Sequence, residues 1–511
     1  MLFPRSSGIL LHPTSFPSRF GVGDMGIEAY RFIDFLVESD QQYWQILPLG
    51  PTGYGNSPYS CYSAMAGNPM LISPEILRDE QLVTDEDLAN WPEFSLDTVE
   101  FERAVALKLP LLKKACENFK AKASPVQQRE FSAFCESKAS WLEDYALFMA
   151  LKDRFDGVSW NKWEPEVAHR KPESLDKCRQ ELNTEIYYYK YVQFEFFRQW
   201  TELKRYANLR DIKIIGDIPI YVAHDSADVW SHPEAFCLDE PTGEPALMAG
   251  VPPDYFSETG QLWGNPVYNW EHLQANNFQW WVERFEAIFD YVDVTRIDHF
   301  RGFEAYWAVK RGKKNAIEGE WIQAPGIALF EVINEKFGNL PIIAEDLGVI
   351  TPEVEALRDR FEFPGMKILQ FAFNGGPGNP FLPFNFERNC VVYTGTHDND
   401  TTVGWFNQLQ DYERDEVYRY LGCIDPAGIH WSLIRMAWGS IANMAVVPFQ
   451  DLLGLGTDAR MNFPGKADGN WGWRYRSEAL NWEVRDRLKT MTHICGRSPN
   501  KNLKLGMGHR E

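Results

Sequence analysis

The sequence predicts an α/β fold: a (β/α)8 TIM barrel with large, mostly helical and loop insertions and no C-terminal β-sandwich. Three observations predict it. Eight short, apolar, largely β-branched runs recur along the 511 residues. Patterns with helical spacing precede several of them. Carboxylates stand at or just beyond the ends of three runs, where α/β enzymes place their chemistry.

The runs are Gly8–Leu11, Tyr43–Leu47, Ile212–Ile215, Tyr291–Ile297, Pro341–Ala344, Met366–Phe371, Cys390–Tyr393 and Met444–Val447. Nearly all are too short for helices and too apolar for half-exposed strands. Between the first two, Asp24 reads as the N-cap of a helix that turns Tyr30, Ile33 and Val37 inward. Before the third, Val192, Phe196, Trp200, Leu203 and Ala207 recur at helical spacing. Before the fourth, Trp280 to Phe289 is amphipathic. After the eighth, the chain reads as a loop and a closing helix.

Two stretches are too long for plain crossovers. Residues 75–185 read as a mostly helical insertion between strands two and three. Thr84-Asp85-Glu86-Asp87 is a helix-start signal, Pro110 breaks or kinks a helix, and Trp141, Tyr145, Phe148 and Met149 form an apolar stripe. Residues 217–285 read as a loop-rich insertion between strands three and four, rich in Pro, Gly, Asp and Trp. The barrel itself takes residues 1–74 and 186–511.

The formal net charge of −21 repels phosphate backbones and anionic lipid, so neither nucleic acid nor a membrane is expected as a partner. No apolar run approaches the roughly 18 residues that span a bilayer. No signal or transit peptide is visible at the start. The eight cysteines include no C-x-x-C pair and no Cys/His cluster, which argues against structural zinc and a disulfide scaffold. These features point to the cytosol.

In the fourth run, side chains alternate faces, so Val292, Val294, Arg296 and Asp298 share one. A guanidinium then lies beside a carboxylate at a strand end. Alone, that is as well read as a structural ion pair. Glu345 follows the fifth run and Asp398 follows the seventh, beside His397. Barrel strand ends converge on one mouth, so the three acids are expected to meet there. Two close carboxylates can serve as nucleophile and general acid/base of a retaining glycosidase, and the third could grip sugar hydroxyls. Aromatic-rich loops around Tyr54–Tyr59, Pro252–Phe256 and Leu262–Pro266 suit the apolar faces and hydroxyl rims of sugars. Many of the 19 tryptophans could equally be core.

The chain resembles glycoside hydrolase family 77, the 4-α-glucanotransferases (amylomaltase or disproportionating enzyme) of the α-amylase clan. The motifs that carry the resemblance run in family order. They include Arg5-Ser6-Ser7-Gly8-Ile9, Gly50-Pro51-Thr52-Gly53-Tyr54-Gly55 with Ser57-Pro58-Tyr59, and Gly216-Asp217-Ile218-Pro219-Ile220-Tyr221. Ala249-Gly250-Val251-Pro252-Pro253-Asp254-Tyr255-Phe256-Ser257 and Arg296-Ile297-Asp298-His299-Phe300-Arg301-Gly302 follow. Ala344-Glu345-Asp346-Leu347-Gly348, Gly395-Thr396-His397-Asp398-Asn399, Arg460-Met461-Asn462 and Asn470-Trp471 complete the set.

The resemblance implies that Asp298 is the nucleophile, Glu345 the general acid/base and Asp398 the transition-state stabiliser. It implies that Arg296 orients the nucleophile and that His397 binds the donor sugar with Tyr59 stacked beneath. Ser57, Asp217, Asp254, Phe256, Trp263, Asn265, His299 and Asn462 complete the implied substrate-binding set. The implied reaction transfers an α-1,4-glucan segment to a sugar 4-hydroxyl, with no metal and no organic cofactor. The implied partners are malto-oligosaccharides and α-1,4-glucans, and the implied state is a monomer or weak homo-oligomer. Two departures touch substrate-side loops. Asn56 stands where many members carry an acid, and Pro383-Phe384-Asn385-Phe386 replaces Pro-His-Asn-Tyr.

Two other functions compete: an α-glucan hydrolase of the same clan and a non-catalytic glucan-binding protein. The acids alone do not decide between water and sugar as acceptor. The loop Gly250–Ser257 is expected to act as the shielding lid, with Tyr255 and Phe256 as apolar cover.

Overall fold

The computed structural model describes residues 3–253, 257–466 and 468–499. Its strands in chain order are β1 (Ser6–Leu10), β2 (Tyr43–Gln45), β3 (Lys213–Pro219), β4 (Leu247–Val251), β5 (Gln261–Pro266), β6 (Val294–Asp298), β7 (Ala305–Lys310), β8 (Glu320–Gln323), β9 (Ile342–Ala344), β10 (Gly365–Ile368), β11 (Cys390–Tyr393) and β12 (Met444–Pro448). Eight of them form one sheet in the order β10-β11-β12-β1-β2-β3-β6-β9, and every pairing is parallel. The two ends of the sheet meet where the Ala344 amide donates to the Pro364 carbonyl at 2.9 Å. The result is a (β/α)8 barrel, and each of the eight apolar runs supplies one strand. The runs are mostly apolar because both faces of such a strand are covered: every residue of β1, β11 and β12 is buried.

Helices Ile27–Glu38, Asn183–Asn208, Gln279–Tyr291, Gly326–Phe337, Pro352–Arg360 and Ile429–Gly439 precede β2, β3, β6, β9, β10 and β12. In Asn183–Asn208 the spaced residues Val192, Phe196, Trp200, Leu203 and Ala207 are all buried. Each of the larger ones contributes roughly 1.5–3 kcal/mol by leaving water. Between β10 and β11 the described chain holds only the single turns Leu369–Phe371 and Pro383–Asn385. No described strand follows β12; the helix Trp482–Ile494 closes the barrel.

Several local expectations are corrected. Tyr291 ends a helix, and its strand starts at Val294. Between them Asp293 turns its carboxylate back to accept the Ile214 amide, which occupies the residue outside the ladder. The third strand continues through Gly216 and Asp217 to Pro219, because its pairing with β6 extends that far. The sixth strand stops at Ile368, and Leu369–Phe371 forms a 3-10 turn. Asp24 does not cap the first helix. Gly26 occupies the cap, and Asp24 accepts the Gly26 amide at 2.9 Å from a buried site. That helix buries Ile33 fully, whereas Tyr30 and Val37 flank the core. Pro110 does not break its helix, which runs from Phe101 to Lys122. The carbonyl deprived of a partner belongs to Ala106 on the exposed face, where water can serve it.

The expected helix start lies at Thr84, which caps Asp85–Ala89 and forms a capping box with Asp87. The apolar stripe of the helix Ala139–Arg154 buries Tyr145 and Phe148 and sets Trp141 and Met149 against the core.

A second sheet has no signature in the sequence. Strands β5-β4-β7-β8 form a four-stranded antiparallel sheet. It joins the stretch read as a loop region to residues after β6. Its outer strands β5 and β8 are mostly exposed or half-buried, so they lack the apolar signature of the barrel strands.

Candidate active site

The floor of the site comes from the register of β3 and β6. Asp217 stands opposite Arg296, and Pro219 opposite Asp298. Arg296 and Asp298 share a strand face, so one buried guanidinium reaches both acids. Its Nη1 donates to Asp217 Oδ2 at 2.6 Å and its Nη2 to Asp298 Oδ1 at 2.8 Å. Tyr59 adds its hydroxyl to the same Asp217 Oδ2 at 2.6 Å. Burial pushes the Asp217 carboxyl up, against the pull of Arg296. Such a buried pair holds geometry more than it adds stability.

Glu345 follows β9 immediately. Its amide donates to the Ile297 carbonyl at 3.0 Å, which ties it to the strand that carries Asp298. Its carboxylate accepts the His299 amide on Oε2 at 2.6 Å and the Leu347 amide on Oε1 at 3.0 Å. His299 adopts a left-handed backbone with φ 54°, rare for a residue with a Cβ, in the turn from which its N–H meets Glu345. Burial and then the nearby charge of Asp298 push Glu345 up to about 8. Arg296 and the two amides pull the other way and lose. The His299 ring is pushed down to about 4 by burial, so it is neutral, and it sits edge-on to Trp263 at 4.9 Å.

Asp398 lies in the loop between β11 and the helix Thr402–Gln408. A buried carboxylate, Asp451, holds both ends of that loop. It accepts the Thr394 hydroxyl at 2.6 Å and the Thr402 amide at 2.6 Å. Asn462 donates to Asp398 Oδ1 at 2.6 Å, and Arg460 donates to the Asp398 carbonyl at 2.6 Å. His397 Nε2 is 3.4 Å from Asp398 Oδ2. The Tyr59 ring stacks on His397 at 5.2 Å and 12°, and Trp471 packs against both. Asn462→Ala removes an amide donor from an anion. The expected result is about a ten- to hundredfold loss in kcat/KM for maltotriose with the melting temperature little changed. Steady-state rates beside a thermal melt check it.

These elements enclose a cleft of about 850 Å³, lined among others by Ser57, Tyr59, Trp263, Asn265, Asp298, His299, His397, Asp398 and Asn462. Arg296, Asp217 and Glu345 lie behind this lining, hydrogen-bonded to it. Trp263 keeps 38% of its surface exposed, an open aromatic face. Asn265 spends its amide on the Val222 carbonyl at 2.8 Å, and Ser57 Oγ accepts the Tyr59 amide at 3.2 Å. Asp254, Tyr255 and Phe256 lie outside the described residues, and with them the tip of the expected lid. Asp451 is not legible in the sequence, where a lone Asp after a strand carries no signal. Trp471 and Arg460 belong to family motifs, but nothing in their letters tells which partners they meet.

The arrangement separates its acids by environment. One carboxylate is tied to a guanidinium, a second is held protonated at neutral pH, and a third is gripped by an amide. That division is what retaining glycosyl transfer needs. The family model for glycoside hydrolase family 77, described as 4-alpha-glucanotransferase, matches residues 11–480. The chain belongs to the 4-alpha-glucanotransferase family. The 4-alpha-glucanotransferase of Synechocystis sp. is 57% identical over 499 residues, 97% of this chain and 99% of that protein. The 4-alpha-glucanotransferase of Thermus thermophilus is 50% identical over 504 residues, 97% of this chain and 100% of the other. The solved amylomaltase from Streptococcus agalactiae, in complex with acarbose, matches with a TM-score of 0.94 at 41% identity, covering 97% of this chain and 100% of that one. Like its relatives this glucanotransferase is an enzyme of glucan transglycosylation. Among its described residues no helix is long and apolar enough to cross a membrane.

Proposed function

We propose that Asp298 attacks the anomeric carbon of a malto-oligosaccharide or longer α-1,4-glucan while Glu345 protonates the departing glycosidic oxygen. The C1–O bond breaks, the shortened glucan leaves, and the donor segment stays as an ester on Asp298. Glu345, now a base, takes the proton of an acceptor 4-hydroxyl, which attacks C1 and frees the Asp298 carboxylate. Asp398, set by Asn462, holds hydroxyls of the distorted sugar ring between the two steps. Tyr59, His397 and Trp471 offer the donor ring an aromatic wall, and Trp263 offers a face on the other side of the cleft. When the acceptor is the far end of the same chain, the product is a cyclic glucan.

The observation that carries this reading is the opposite treatment of two neighbouring acids. Asp298 accepts a charged hydrogen bond from Arg296, whereas Glu345 is pushed up to about 8. The Asp298 charge supplies part of that push. Esterification cancels the charge, so Glu345 becomes easier to deprotonate when a base is required. The eight unpaired cysteines support a cytoplasmic setting.

Incubation with maltotriose tests the acceptor. Transfer yields glucose together with a ladder of longer oligosaccharides while total reducing ends stay constant. A rise in reducing ends with short products alone would make the protein a hydrolase, and no change would make it a binding protein.

A further inference from the structure

Arg301 is buried, yet among the described residues no carboxylate lies within ion-pair distance of it. It sits in the 3-10 turn Phe300–Phe303, just past the nucleophile strand. Its Nη1 donates to the Val349 carbonyl and its Nε to the Ala305 carbonyl at 3.4 Å. Its guanidinium lies over the ring of Trp321, 3.9 Å from the centroid. Trp321 belongs to β8 of the second sheet, and Val349 to the loop that begins with Glu345. The charge of Glu304 reaches Arg301 without an ion pair, so its main partners are two carbonyls and a ring, contacts specific to a planar group that donates in two directions and stacks.

The Glu345 loop needs an anchor at its far end. Its near end is fixed, because the Asp346 carboxylate accepts the Met366 amide at 2.7 Å and an Arg358 nitrogen at 2.6 Å. Gly365 leaves room for that carboxylate, since a Cβ there would lie 2.2 Å from Asp346 Oδ2. Beyond it the chain turns at Gly348, with φ +91°, and Val349 is exposed. Between the two ends lies the Leu347 amide that donates to Glu345 Oε1.

We propose that Arg301 is a positioning residue that clamps the Val349 end of this loop to the second sheet and thereby fixes the Leu347 amide and the orientation of Glu345. The inference rests on Glu345 being the general acid/base. Its consequence is that the second sheet, which contributes Trp321 from outside the barrel, is part of the support of the acid.

The test uses two donors on the full chain. Maltotriose needs its leaving group protonated, whereas α-maltosyl fluoride forms the glycosyl-enzyme with little help from an acid. Arg301→Ala is expected to lose about ten- to a hundredfold in kcat on maltotriose, the range of a small misplacement of a catalytic group, while the first-turnover burst of fluoride release stays within about threefold. Loss of the Leu347 hydrogen bond removes a contact that favours the carboxylate, so the basic limb of the rate profile should move to higher pH. Arg301→Lys should not restore the rate, because an ammonium cannot stack and donate in the same way. Trp321→Ala should show the same donor pattern in weaker form, and it carries the test if Arg301→Ala fails to fold. Glu345→Gln serves as the control. If it shows the donor pattern and the folded Arg301 and Trp321 variants lose both donors equally, or neither, the clamp is overturned. If Glu345→Gln itself loses both donors equally, the assignment of Glu345 fails, and the inference with it.

Discussion

Asp298→Asn should lower transfer from maltotriose by several orders of magnitude, roughly 10⁴-fold or more, and leave a folded protein. The substitution keeps size and shape. An amide oxygen can still accept the Arg296 Nη2 hydrogen bond, and Arg296 retains its second partner, Asp217, at 2.6 Å. Asp298 is partly open to the cleft, so removing its charge leaves no cavity, and the change in stability should stay within about 1 kcal/mol. What disappears is the lone pair and negative charge of the proposed nucleophile. A donor carrying fluorine at C2 slows the second step and should leave its label on Asp298 in the native enzyme. A label on any other carboxylate would refute the assignment. A variant that keeps more than about one per cent of the native rate would do so too.

The second large effect concerns Glu345. Its carboxyl is held up near 8, first by burial and then by the charge of Asp298, so it is protonated below that pH and able to donate. Activity that needs the proton is therefore present below about 8 and lost as pH rises through it. Glu345→Gln should lose about 10²- to 10⁴-fold on maltotriose, since an amide has no acidic proton to give. With α-maltosyl fluoride, whose leaving group departs unaided, glycosyl-enzyme formation should largely survive and the basic limb should disappear from its profile. A variant that loses both donors equally, or neither, would mean that a different group supplies the proton.

Much of the barrel is legible without coordinates because its strands are encoded locally. A strand covered on both faces is apolar at most positions, so Met444–Val447 or Cys390–Tyr393 announces itself in four letters. The chain position of the three acids is legible for the same reason, since each follows such a run. The family motifs are contiguous segments, so they too survive without a fold. The errors fall where local signals compete. Asp24 is a good cap residue by type, but its backbone lies outside the helix and Gly26 takes the position. Pro110 is a helix breaker by type, but the carbonyl it orphans faces solvent.

What only the tertiary structure decides is which residues meet. Asp217 and Arg296 are 79 positions apart and touch because β3 and β6 pair in one register; a slip of one residue would turn Arg296, and Asp298 with it, to the opposite face from Asp217. His299 has no left-handed signature in its letters, and its backbone turn puts an amide on Glu345. Asp451, Trp471 and Arg301 draw their places from partners far along the chain: Thr394 and Thr402, Tyr59 and His397, Val349 and Trp321. The second sheet hides because strands such as β8 are short and largely exposed, so nothing in their composition demands a partner. The sequence by itself determines the eight strands, the family and the acids available for chemistry, since those depend on hydrophobic period and contiguous motifs. The tertiary structure decides how the acids differ, because burial and neighbouring charge are properties of what packs around a group, and no residue carries them in its own identity.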